Sequence, residues 1–263
     1  MDLVIAFRCH LPQGLHARPA SHLLAVCAPF LASIRWKNLR NGREADVRRP
    51  LAMLGTDTLF DDPCEIRIAG SDANAARARL ERFLRLELTD DAGPSRDSDA
   101  VLAGETPSDP PRPIIDGDCV ALGCRWQTPR EAIAGMVRGL WLCGRLDGRS
   151  AMERTLWTRE QQSATGVGFG IAIPHARSAL VRHPTIAVAK LVAPIAWPSV
   201  DGRPVDTVIM LAMGVHNSGE DHLRLFSRLA RSLVTDRFRE RLAACTDRPA
   251  VLALMDEALA GEG

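Results

Sequence analysis

The sequence predicts two domains of mixed helix and strand: an α+β domain over residues 1–88, then an α/β domain over residues 113–263. Three observations predict this. At 263 residues, with 46% hydrophobic and 25% charged side chains, the chain is long enough for two ordinary cores. From Thr89 to Arg112 hydrophobic periodicity gives way to Asp, Ser, Gly and Pro, the composition of an acidic flexible linker. The flanking halves follow different orders of strand and helix, with no internal repeat.

In the first half Leu3 to Cys9 reads as a strand, and a loop with Pro12 and Gly14 leads to a helix near residues 17 to 28. Ala32 to Trp36 alternates as a second strand. Asn41-Gly42 is a hairpin signal, and Glu44 to Val47 returns as a third strand. The short apolar segment Leu51 to Leu54 precedes a strand at Cys64 to Ile68. Ser71 is expected to cap a last helix reaching about Leu88, with Ala75, Ala78, Phe83 and Leu86 among its apolar positions. An antiparallel sheet with helices on one face satisfies this order.

The second half is expected to open with two helices. Thr128-Pro129-Arg130-Glu131 and Ser150-Ala151-Met152-Glu153 both fit the capping-box spacing. Strands follow at Ile171 to Ile173, Ile186 to Val192 and Val205 to Met213. Helical stretches near residues 220 to 234, 236 to 244 and 248 to 260 finish the chain.

A net charge of +1 gives no global pull toward nucleic acid or an anionic membrane. Seven cysteines, without a CxxC pair or metal-finger spacing, read as free and mostly buried thiols. No export signal or membrane-length apolar run is found, so the expected location is the cytoplasm, without membrane insertion.

Two histidines stand where phosphate chemistry is expected. Gly14-Leu15-His16-Ala17-Arg18-Pro19-Ala20 puts His16 where a loop enters a helix. Unpaired N–H groups and the helix dipole favour an anion there, and Arg18 is able to add charge-assisted hydrogen bonds. An imidazole with a pKa of about 6.5 keeps a nucleophilic lone pair near neutrality. Farther on, Thr165-Gly166-Val167-Gly168-Phe169-Gly170-Ile171-Ala172-Ile173-Pro174-His175 joins a glycine-rich turn and a short apolar strand to a second histidine just past its end. The stretch lacks the strand-before-helix setting of a dinucleotide fingerprint and the GK[ST] of a P-loop.

The GLHARPA string resembles the phosphorylation site of HPr, the histidine phosphocarrier of the bacterial sugar phosphotransferase system, and the element order over residues 1–88 resembles that family's open-faced β-sandwich. The resemblance implies that His16 is the phosphoacceptor and Arg18 its phosphate-binding partner. One departure is that Arg49-Pro50-Leu51-Ala52-Met53-Leu54 lacks the serine that many members carry at the start of the short second helix, so regulation by phosphorylation there is not expected. Whether Leu51, Met53 and Leu54 dock a partner or pack on their own sheet stays open.

Residues 113 to 260 resemble enzyme IIA of the fructose/mannitol class and its nitrogen-regulatory relatives through Arg159-Glu160, Thr165-Gly166, Gly168, Gly170 and Ile171-Ala172-Ile173-Pro174-His175. That resemblance implies that His175 takes the phosphoryl group from an HPr-type donor, helped by Arg159 and a second histidine. Of His216 and His222, the family pattern favours His222. Arg177 is expected to be an exposed arginine, and His10, His22 and His183 to be solvated or capping residues. No metal and no organic cofactor is expected, the phosphoryl group deriving ultimately from phosphoenolpyruvate.

Together these resemblances imply a phosphohistidine relay, in which enzyme I charges His16, His16 charges His175, and His175 passes the group to an enzyme IIB of a sugar permease. The alternative is a regulatory module whose phosphorylation state controls partner proteins without sugar transport.

Overall fold

The computed structural model describes residues 3–11, 14–15, 17–87, 112–215 and 219–260. The chain forms two compact units, one made of residues 1–97, 219–240 and 258–263, the other of residues 98–218 and 241–257. The expected linker lies outside the described residues except for Arg112, whose guanidinium donates to the Cys143 carbonyl at 2.8 Å.

The first unit begins with β1 (Leu3–Arg8), α1 (Ala17–Cys27), β2 (Ser33–Asn38), β3 (Glu44–Asp46), α2 (Pro50–Leu54), β4 (Pro63–Ala69) and α3 (Ala73–Glu87). Its sheet has the order β1-β4-β2-β3 with every neighbouring pair antiparallel. Alternation along the strands sets its faces. Ile34 and Trp36 of β2 sit opposite Ile68 and Ile66 of β4 on the buried face, while Arg35 pairs with Glu44 at 2.8 Å on the exposed one. The hairpin before β3 turns through Gly42 at φ +73°, a backbone state that costs glycine little.

Two local expectations shift. Helix α3 starts at Ala73 rather than after Ser71. The Asp72 carboxylate accepts the Leu31 and Ala32 N–H groups at 2.6 and 2.8 Å, tying the helix entrance to β2. Its buried stripe is Ala73, Ala76, Leu80, Phe83 and Leu84, whereas Ala75 and Ala78 face outward. Alanines on both sides of the helix blur the 3.6-residue pattern that would fix the phase.

The second unit holds a 3-10 turn at Gly117–Cys119, β5 (Val120–Cys124), α4 (Pro129–Leu142), α5 (Arg149–Gln162), β6 (Gly166–Gly168), β7 (Ile171–Ala172), β8 (His175–Arg177), β9 (Thr185–Ile195) and β10 (Val205–Met213). Three helices follow, α6 (Gly219–Val234), α7 (Asp236–Ala244) and α8 (Arg248–Ala260). The second sheet has the order β5-β9-β10-β7-β6, and β8 also pairs with β10. β10 is its spine. It runs antiparallel to β9 and parallel to β7 and β8, and it is buried from Thr207 through Met213.

At α4 the Thr128 half of the expected capping box forms, with Thr128 Oγ1 accepting the Glu131 N–H at 3.2 Å, while the Glu131 carboxylate accepts the N–H of Gln127, one residue before the cap, at 2.8 Å. At α5 the expected box does not form, because Gly148 is the N-cap and Ser150 lies inside the first turn. Strand β5 was not expected before the helices. Buried Arg145 helps fix this region, its guanidinium meeting the Asp116 carboxylate, Thr185 Oγ1 and the Pro113 carbonyl. Burial alone would raise the Asp116 carboxyl; hydrogen bonds led by the one from Arg145 overcome it and hold the group below its usual range.

Within the first unit α6 packs against α2, and the buried Ser227 hydroxyl donates to the Leu54 carbonyl at 2.8 Å. Leu51, Met53 and Leu54 are all buried there. No helix among the described residues is long and apolar enough to cross a membrane.

Candidate functional site

The second histidine motif folds into a short antiparallel turn. β6 and β7 pair Gly166 with Ala172, and β8 then runs beside β10 with His175 opposite Leu211. The turn between β6 and β7 needs three left-handed residues in a row, Gly168 at φ +90°, Phe169 at +59° and Gly170 at +76°. The strain at Phe169 is offset by a hydrogen bond from its N–H to the Asp201 carboxylate at 2.8 Å. Burial nudges that carboxyl up, but the N–H groups of Phe169 and Arg203 outweigh it and hold it low. Gly166 is required for a different reason. A Cβ there would lie 2.3 Å from the Pro198 carbonyl oxygen.

This turn delivers His175 to Arg159, which α5 presents in its last turn. The His175 Nδ1 lies 2.9 Å from the Ile173 carbonyl oxygen, and its Nε2 lies 3.4 Å from Arg159 Nη2. A carbonyl oxygen only accepts and a guanidinium only donates, so these neighbours select one tautomer. The proton sits on Nδ1, and the Nε2 lone pair faces the guanidinium. Arg159 is held in turn by the Ser163 carbonyl at 3.3 Å. A nucleophilic nitrogen beside a fixed cation is an arrangement able to receive a phosphoryl group and to stabilise the charge on its oxygens.

Arg177 was expected to be exposed, but its guanidinium donates to the Val215 carbonyl at 2.8 Å and approaches that of Gly214 at 3.4 Å. It thereby secures the segment that leaves β10. His222 stands in the first turn of α6, and its side chain lies outside the described residues, as does all of His216.

The first histidine, His16, also lies outside the described residues, and Arg18 is placed only as the second residue of α1. The approach to that helix is defined. Gly14 turns at φ +65°, and buried Leu15 donates its N–H to the Thr58 carbonyl at 2.9 Å. The Thr58 hydroxyl meets the Trp36 indole N–H at 3.2 Å and Thr56 Oγ1 at 2.9 Å, so the anchor is itself braced from the sheet. His183 is buried rather than solvated, whereas His10 is exposed beside Asp61. Among the described residues no group of three His, Cys, Asp or Glu side chains gathers as a metal site would need.

Residues 113–258, more than half of the chain, match the family model described as phosphoenolpyruvate-dependent sugar phosphotransferase system, EIIA 2. The chain belongs to this family. Its residues 5–85 match a second model, described as PTS HPr component phosphorylation site, so an HPr segment is fused ahead of the EIIA segment. A multiphosphoryl transfer protein of Escherichia coli O6:H1 is 36% identical over 165 residues, covering 63% of this chain and 20% of that protein. The chain therefore spans about a fifth of the length of the first curated relatives it matches. A PTS system fructose-specific EIIA component of Haloferax volcanii is 38% identical over 114 residues, or 43% of this chain and 73% of that protein. Among solved structures, the nitrogen regulatory protein IIA-Ntr of Neisseria meningitidis superposes with a TM-score of 0.51 at 26% identity, covering 54% of this chain and 96% of its own. The fused HPr and EIIA segments agree with a role in phosphoryl transfer.

The sequence motifs single out His175 and Arg159, which the structure brings within 3.4 Å of each other, but give no role to Glu160, although that residue stands in the motif. They also say nothing of the Ile173 carbonyl. A backbone acceptor carries no residue-type signature, so nothing in the sequence singled it out.

Proposed function

We propose that the chain is a phosphohistidine relay. Enzyme I, charged by phosphoenolpyruvate, phosphorylates His16, and Arg18 holds the phosphoryl oxygens. The group then moves to His175, assisted by Arg159 and His222, and from there to an enzyme IIB of a sugar permease. The relay works in the cytoplasm on residues 1–88 and 113–263, joined by the segment between them, and it needs no cofactor beyond the phosphoryl donor.

The observation that carries this reading is the held imidazole: Nδ1 against the Ile173 carbonyl and Nε2 toward Arg159. In the transfer, the Nε2 lone pair forms a bond to phosphorus as the donor's nitrogen–phosphorus bond breaks, and that bonding pair returns to the donor ring. The Nδ1 proton stays against the carbonyl, where the positive charge developing on the ring is shared. The guanidinium faces the charge spread over the phosphoryl oxygens. Onward transfer reverses these roles, returning the pair to Nε2 as the acceptor attacks. The fructose-specific name of the Haloferax relative supports a sugar of that type.

The test is phosphorylation from phosphoenolpyruvate through purified enzyme I, read by intact mass. Two acid-labile phosphoryl groups are expected on the wild type, one on His175→Ala and none on His16→Ala. Full charging of His175 in His16→Ala would overturn the order of the relay, and no uptake by the wild type would overturn the relay itself. The likeness to IIA-Ntr favours a second reading, a regulatory module without transport. Under it, the doubly charged protein would not drive sugar phosphorylation by a matching permease.

A further inference from the structure

We propose that Glu160 is a positioning residue that sets the tautomer and aim of the His175 ring through a chain of hydrogen bonds. Glu160 follows Arg159 in the last turn of α5, only 7% exposed. One carboxylate oxygen accepts the Thr165 N–H at 2.8 Å and the Trp197 indole N–H at 2.7 Å, and the other accepts the Thr165 hydroxyl. The chain continues from there. The Thr165 carbonyl accepts the Ile173 N–H at 2.9 Å, and the Ile173 carbonyl accepts from His175 Nδ1 at 2.9 Å. The buried carboxylate is thus connected to the nucleophilic ring through the backbones of two residues, Thr165 and Ile173. By holding Trp197 it also fixes the segment whose Pro198 carbonyl crowds Gly166 from the other side.

A buried carboxylate is costly unless every donor it meets is well aligned, and this one meets three on two separate segments. Pinning Thr165 places its carbonyl against the Ile173 N–H and so fixes the Ile173 carbonyl, and a fixed acceptor at Nδ1 keeps the lone pair on Nε2. Arg159 and Glu160 therefore divide the work on adjacent residues: the arginine faces the reacting nitrogen, and the carboxylate governs the nitrogen behind it. Loss of such a supporting partner elsewhere reduces activity by about tenfold to a hundredfold.

The kinetic half of the test rests on His175 being the phosphoacceptor, but the spectroscopic half does not. Full-length chains with 15N-labelled histidine would be compared by long-range 1H–15N spectra of the ring, and by the rate of charging of His175 from a phosphorylated HPr-type carrier in a His16→Ala background. Wild type is expected to show the Nδ1–H tautomer. Glu160→Ala is expected to mix in the Nε2–H tautomer and to lower kcat about tenfold to a hundredfold with KM for the carrier little changed. Glu160→Gln keeps an oxygen for both N–H donors and is expected to restore most of both properties. A folded Glu160→Ala chain with the wild-type tautomer and rate would overturn the proposal. If that variant does not fold, Thr165→Val, which has nearly the same shape without the hydroxyl, carries the comparison: a smaller change in the same direction supports the proposal, and none overturns it. Should the wild type accept no phosphoryl group, the relay reading falls, while the tautomer comparison still decides the role of Glu160.

Discussion

Most thiols of this chain are held neutral by burial, which ties their chemistry to folding. Burial raises the Cys9 thiol from 9.0 to about 11, and raises Cys27 and Cys119 to about 12. Cys64, also buried, is raised as well. Cys124, Cys143 and Cys245 are only half-buried, so at pH 8 a thiol reagent should reach and modify them well before these four. The pH dependence follows in sign. Between pH 9 and about 11 the unfolded chain has released thiol protons that the folded chain retains, so the stability from neutral burial is intact below pH 9 and is lost as pH rises through the folded values. The steepest contribution is about 1.4 kcal/mol per pH unit for each thiol. Urea midpoints at pH 8 and pH 10 should therefore fall, and replacing Cys27 by Ala should make the fall shallower. Sequence reasoning found free, mostly buried thiols because cysteines without pairing or metal spacing behave as small apolar residues. It did not separate the four inner thiols from the three outer ones, since that depends on how the helix, turn or strand carrying each one packs.

At the scale of elements, α7 shows how one side chain secures a helix end. Lys190 of β9, one of only two lysines in the chain, donates its ammonium to the carbonyls of Leu242, Ala243 and Cys245 at 3.0, 2.6 and 2.6 Å. These lie at the C-terminal end of α7, where carbonyls lack helical partners and the dipole favours a cation. A compact ammonium with three donors suits three converging oxygens, whereas a planar guanidinium does not. Lys190→Met should lower stability by about 1.5 to 3 kcal/mol, and Lys190→Arg should recover little of it, as measured by denaturant midpoints at constant slope. Boundaries of α6, α7 and α8 were legible within a residue because α6 and α7 carry apolar stripes and Pro249 marks the first turn of α8. β5 was not. Val120-Ala121-Leu122-Gly123-Cys124 is short and glycine-broken, and its strand state comes from pairing with distant β9, which local pattern does not encode. The α5 start was misplaced for a related reason. Ser150 and Glu153 satisfy the capping-box spacing, but Glu153 is engaged by Arg149 at 2.7 Å and Gly148 takes the cap.

At the scale of the molecule, the two family segments were legible because each carries its own histidine motif and its own order of elements. The compact units divide the chain differently, since residues 219–240 group with the first unit although the EIIA match runs through them. Sequence reasoning missed this because a helix stripe records that a face is buried, not against what. The proposed relay has a consequence that covalent fusion alone dictates. Residues 89–112 hold the two segments within at most about 80 Å of each other even when fully extended, and tethered partners commonly meet at effective concentrations near the millimolar range. Charging of His175 from His16 in the wild type should therefore be first order, with a rate constant unchanged over a tenfold dilution of the protein. A mixture of His175→Ala, which still charges His16, with His16→Ala, which retains His175, restores transfer only between molecules. Its observed rate constant should fall about tenfold on the same dilution and lie well below that of the wild type at micromolar concentration. Rapid quench at alkaline pH followed by mass mapping of the peptides that carry His16 and His175 distinguishes the cases. Equal rate constants for mixture and wild type, or a wild-type rate constant that scales with concentration, would show that the fused segments exchange phosphoryl groups between chains and that the tether gives the relay no advantage.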